Sequence, residues 1–154
     1  MLAMPQIVQT DEQLTAVIHL TVPRAEIGQV MGPAIAEIIA ALAAQGIAPA
    51  GPCYSRHWKR PTDTFDFEVG FPISHPIAPA GRVKTSRLPA AKVARTTYRG
   101  RYDGLGAAWG EFCAWVENEG LAAQNGLWES YLSGPESSPD PDQWRTELNR
   151  PLVS

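Results

Sequence analysis

Little in this chain of 154 residues points to a metal, a nucleic acid or a membrane. It has only two cysteines and three histidines, and His19, His57 and His75 stand far from one another and from Cys53 and Cys113. Zinc sites draw on close pairs of such residues, so no metal and no other cofactor is expected. Two cysteines are also too few for a secreted disulfide scaffold, and both are read as reduced thiols, one in a strand and one in a helix. Lysine and arginine together number 13 against 16 acidic residues, for a formal net charge of −3. The basic residues form no run that would track a phosphate backbone, so nucleic acid is not expected as a direct partner. No uninterrupted apolar stretch reaches the roughly 18 residues of a membrane span. The first residues also lack the basic start and apolar run of an export signal. A cytoplasmic protein with no membrane partner follows as the expectation. Gly100-Arg101-Tyr102-Asp103-Gly104 has the wrong context for a phosphate loop, and no nucleophile elbow or Cys/His arrangement stands out.

What the chain does have is periodicity. From Leu14 the apolar residues alternate through Ala16, Ile18, Leu20 and Val22, which predicts a strand with one buried face, stopped at Pro23. Ile27, Val30, Met31, Ala34, Ile35, Ile38, Ile39 and Leu42 then recur three and four apart, the pattern of an amphipathic helix ending at Gly46. Proline is unstrained in a first helical turn, so the regular helix is expected to begin at Pro33. Strands are expected at 51–58 and 64–72, the second alternating Phe65, Phe67, Val69 and Phe71 with Asp66, Glu68 and Gly70. After a proline-rich link at 74–81 come strands at 83–87 and 90–99. A helix bearing Leu105, Trp109, Phe112 and Val116 follows and ends at Gly120, before strands at 125–133 and 144–148. Three prolines make 134–142 a loop.

The order of elements repeats. A shift of 74 residues lays the first half on the second without a gap from 14 to 48, with eight identities, where about three would arise by chance. The expected architecture is α+β, a single domain over 1–154 built from two β-α-β-β repeats, about 14–73 and about 82–152. The repeats would pair their first strands in one antiparallel sheet, with two helices on one face and a ligand groove on the pseudo-two-fold axis between them.

Extending the shift aligns Cys53, Ser55 and His57 with Leu127, Glu129 and Tyr131. Strand side chains alternate, so each trio shares one face and Tyr54, Arg56, Trp58, Trp128, Ser130 and Leu132 lie on the other. One half then offers Ser55 and His57 where the other offers Glu129 and Tyr131. Glu129 stands in an otherwise aromatic and apolar strand. It is either a carboxylate on a solvated face or a charge anchor for a cation held between rings. Tyr98, Tyr102, Trp109 and Tyr131 are the candidate rings, with core packing the other role for Trp109.

Four segments, 64–72, 98–102 (Tyr98-Arg99-Gly100-Arg101-Tyr102), 127–131 (Leu127-Trp128-Glu129-Ser130-Tyr131) and 144–148, give the chain its resemblance to a known family. From about Leu14 to Leu152 it resembles the GyrI-like small-molecule-binding domain. That domain is also the effector-binding half of AraC/Rob-type and MerR-type drug-responsive regulators. The resemblance implies the duplicated fold and a pocket for bulky, often cationic, aromatic compounds. In it Glu129 would read the positive charge, with Tyr131, Tyr102 and Tyr98 matching the family's aromatics and Trp109, Ser55 and His57 beside them. Arg99 and Arg101 depart from the His and Pro that many members carry around the glycine, and both are expected to face solvent. A DNA-binding helix-turn-helix has no room in the chain, so a stand-alone version is expected. Two alternatives remain open. Some stand-alone members resemble hydrolases of cyclopropanoid DNA-alkylating natural products, in which case Glu129, helped by Tyr131, would be the catalytic acid or base. The other is a protein-partner module of gyrase-inhibitor type.

Overall fold

The computed structural model describes residues 2–59 and 61–153. Its strands are β1 (Gln6–Thr10), β2 (Gln13–Pro23), β3 (Tyr54–His57), β4 (Thr64–Pro72), β5 (Lys84–Leu88), β6 (Ala91–Arg99), β7 (Leu127–Ser133) and β8 (Arg145–Pro151). The helices are α1 (Ile27–Ala44) and α2 (Leu105–Asn118), each entered through a short 3-10 turn.

All eight strands form one antiparallel sheet in the order β1-β6-β8-β7-β3-β4-β2-β5. Only two residues, Asp11 and Glu12, join β1 to β2, yet β1 is at one edge and β2 is next to the other. The link from β5 to β6 is as short and joins the same two edge regions. A flat sheet would hold such edges about 30 Å apart at the usual strand spacing. The sheet must therefore curl until its edges meet at this corner, which makes it a half-barrel.

The two faces are buried differently. Ala16, Ile18 and Leu20 of β2 and Phe67 and Val69 of β4 pack under Ala34, Ile38 and Leu42 of α1. On the same face, Ala94 of β6, Leu127 of β7 and Leu148 of β8 pack under Ala108, Trp109, Phe112 and Val116 of α2. The concave face carries a smaller core of Val17, Tyr54, Leu88, Val93 and Trp128. Both helices thus lie on one face, as the repeated order of elements implied.

The structure corrects the sequence expectations in three places. The first strands of the two halves, β2 and β6, are not paired; the halves meet through β3 and β7. The strand β1 was not expected, because an exposed edge strand carries only a weak alternation. Helix α1 does not begin at Pro33 but runs through it from Ile27. Pro33 leaves only the carbonyl of Gln29 without its helical donor, and Gln29 is exposed, so water can serve it. The 21-residue segment Arg24–Ala44 would pass for a membrane span by length and composition alone. Ala34, Ile38, Ala41 and Leu42 are nevertheless buried in this protein, which is the placement of a helix covering a sheet.

Candidate functional site

The two central strands build the site. β3 and β7 pair with Ser55 opposite Glu129 and His57 opposite Leu127. The Tyr131 amide extends the ladder by donating to the Cys53 carbonyl at 2.8 Å. Alternation then puts Cys53, Ser55 and His57 on one face with Leu127, Glu129 and Tyr131. This is the face the helices cover, and the floor lies between the α1 core and the α2 core.

Glu129 is only 9% exposed. Its Oε1 accepts a hydrogen bond from the Trp109 indole Nε1 at 2.9 Å, so α2 reaches down onto the floor. Beside it the Ser55 and Tyr131 hydroxyl oxygens are 2.8 Å apart. Burial pushes the Glu129 carboxyl above its ordinary range, against hydrogen bonds from Trp109 and Tyr131 that pull it down. Burial, and then the charge of Glu129, pushes the Tyr131 hydroxyl well above its ordinary range. The groups that act on the carboxyl are thus neutral. A carboxylate removed from water without a cation is an expensive arrangement. Chemically it can take up a proton, or receive a cation that enters the site.

His57 occupies the α1 side of the floor and is 6% exposed. Its ring stacks on Phe67 at 5.1 Å and meets Phe65 edge-on at 5.7 Å. Its Nδ1 is buried without a hydrogen-bond partner. Burial pushes its pKa down to about 4, so the folded protein holds it neutral. The unfolded chain takes up a proton near the ordinary value of about 6.5, so folding loses stability as pH falls from there toward the folded value. That loss is expected to approach about 1.4 kcal/mol per pH unit within this window. Urea titrations at pH 7, 6 and 5 should show it, and His57→Phe should flatten that part of the profile.

Aromatic rings stand at one end of the floor. Tyr102, 39% exposed, meets Tyr131 edge-on at 6.0 Å and Trp144 at 5.3 Å. The indole Nε1 of Trp144 donates to the Ser138 carbonyl at 2.9 Å, which ties the loop before β8 to this cluster. Among the expected residues the structure brings together Ser55, Glu129, Tyr131, Trp109 and Tyr102. Tyr98 is elsewhere, two strands from Tyr131 with Thr146 between them. Its hydroxyl donates to the Arg101 carbonyl at 2.8 Å, so it pins the turn that presents Tyr102. Gly104 is close against that hydroxyl, leaving no room for a side chain there. Arg99 and Arg101 are exposed, and Arg101 is 3.7 Å from Asp103. Trp144 was not among the expected site residues, although it opens one of the segments that carry the family resemblance.

A family model, the GyrI-like small molecule binding domain, matches residues 3–152. No curated protein sequence matches the chain. Among solved structures, the C-terminal domain of EcmrR superposes with a TM-score of 0.83 at 20% identity, over 98% of this chain and 98% of that one. Against the EcmrR chain in its DNA complex, this chain spans 57% of the length. SAV2435 bound to tetraphenylphosphonium superposes with a TM-score of 0.71 at 11% identity, over 99% of this chain and 95% of that one. A hydrolase from Listeria innocua gives a TM-score of 0.64 at 15% identity, over 97% of this chain and 91% of that one.

Proposed function

The chain belongs to the GyrI-like small-molecule-binding family, and on that premise we propose that it binds an aromatic cation on the floor between its helices, with Glu129 as the charge anchor. The observation that carries this reading is a carboxylate that is 9% exposed and satisfied only by neutral donors. A ligand cation would supply the missing partner, and Tyr131, Tyr102 and Trp109 offer it ring faces. SAV2435, of the same fold, has been seen with tetraphenylphosphonium, which supports this choice of ligand class. The proposed role is that of a drug or toxin sensor or sequestering protein in the cytoplasm.

Ser55 and Glu129 are equivalent under the 74-residue shift and stand directly opposite each other across the β3–β7 pair. If the halves are copies, the axis relating them passes between these two residues. Glu129 then sits beside that axis.

Titration of the full chain with tetraphenylphosphonium across pH tests the reading. Proton and cation compete for one carboxylate whose pKa lies above its ordinary value. Affinity should therefore hold at high pH and fall as pH drops below that raised value, approaching about tenfold per unit. Affinity that is absent, or indifferent to pH from 4 to 8, would remove Glu129 as anchor.

A second reading shares the same atoms. A carboxyl with a raised pKa beside the Tyr131 and Ser55 hydroxyls is what a general acid requires. The neighbour from Listeria innocua is described as a hydrolase. On this reading a water molecule adds to one carbon of a strained ring as that C–C bond breaks, Glu129 delivers its proton to the departing end of the bond, and the proton the water sheds restores the carboxyl. Consumption of a cyclopropanoid compound over time, abolished in Glu129→Gln, would favour it; unchanged substrate would leave binding alone.

A further inference from the structure

The concave face of the sheet, opposite the helices, holds a cleft of about 550 Å³. Its walls come from the end of β3, the β5–β6 link, the segment before β7 and the end of β8. Volumes of roughly 300–1,000 Å³ are those of sites for small organic ligands. The lining is distinctive in its charge. Arg56 is the only ionisable side chain among the described residues around it, in company with Trp58, Trp128, Gln124, Asn125 and three alanines.

Arg56 and the indoles are held in place. The Arg56 guanidinium carbon is 5.0 Å from the centre of the Trp58 ring, and Nη1 donates to the Arg87 carbonyl at 3.3 Å. Trp58 also meets His19 edge-on at 5.9 Å. Trp128 is buried in the small core of this face, so its ring forms a fixed wall. Glu68 lies across the strand from Arg56, but its Oε1 accepts from the Ser86 hydroxyl at 2.9 Å. The described residues bring no carboxylate into the cleft to compete for the guanidinium.

A planar guanidinium stacked on the Trp58 ring, with Trp128 in the wall and no other charge among the described lining residues, suits a flat ring bearing a carboxylate. We propose that this cleft is a second ligand site, on the face opposite Glu129, that takes a planar aromatic carboxylate. The same two strands then present opposite charges on their two faces. The helix side offers Glu129 to a cation, and the concave side offers Arg56 to an anion. The inference stands on the concave face alone and does not depend on what the helix side binds.

The probe is 2-naphthoate, titrated into the full chain by calorimetry, with indole fluorescence as a second readout. The wild type should bind it saturably. Arg56→Gln should weaken binding about tenfold or more, since a charge-assisted contact is lost. Ala90→Trp offers an independent variant. Ala90 lines the cleft and is exposed, so the larger ring fills the space without entering the core. It too should weaken binding about tenfold or more, while Glu129→Gln should leave it unchanged. Absence of saturable binding by the wild type at millimolar 2-naphthoate would overturn the site. So would equal affinity in Arg56→Gln, or a loss in Glu129→Gln.

Discussion

Replacing Glu129 with glutamine is expected to weaken tetraphenylphosphonium binding about a hundredfold near neutral pH. That corresponds to about 2.7 kcal/mol, within the cost of losing one partner of a desolvated charge pair. Glutamine has nearly the same shape, and its side-chain oxygen can still accept from the Trp109 indole now bonded to Glu129. The change therefore removes the charge and little else. Stability should not fall, because the wild type buries a carboxylate that burial already disfavours in its ionised form. Calorimetric titration and a urea midpoint, measured on the same preparation, separate the two effects. A variant that binds the cation as tightly as the wild type would show that the rings alone hold it.

The second large effect lies in α2, which covers the site. Phe112 is fully buried, stacked on Trp115 at 6.4 Å and tilted against Trp109 at 5.9 Å. Phe112→Ala should cost about 3–5 kcal/mol, because a cavity remains where the ring was. For a domain of this size that is a fall in melting temperature on the order of 10 °C. Trp109 would also lose the surface that fixes its tilt, and with it the aim of Nε1 at Glu129. Cation affinity should then drop even at temperatures where the variant stays folded. Phe112→Leu, which keeps most of the volume, should retain both stability and affinity more nearly. If Phe112→Ala bound the cation normally while folded, the Trp109 contact would be shown to matter little for binding.

The sequence alone determined the local geometry. Alternation along 14–22 and 64–72 identified two strands and the faces that pack under α1, and the three-and-four spacing identified both helices and most of what they bury, although Ile39, expected on the buried face of α1, is 49% exposed and Ala41 is buried in its place. Because side chains alternate on a strand, it also put Ser55 and His57 on one face and Glu129 and Tyr131 on one face before any pairing was known. The family resemblance suggested the proposed role of Glu129, which periodicity could not supply. The pairing of strands needed the tertiary structure. Any two extended backbones can make the same ladder of hydrogen bonds, so nothing local says that β3 meets β7 and that β2 and β6 stay apart. That choice came from the packing of the whole sheet and from two short corner links that force it to curl. The indole of Trp109 points at Glu129 for the same kind of reason. Helical spacing shows which side of α2 is buried, but only the docking of α2 against Leu127 and Leu148 decides which buried ring reaches the carboxylate.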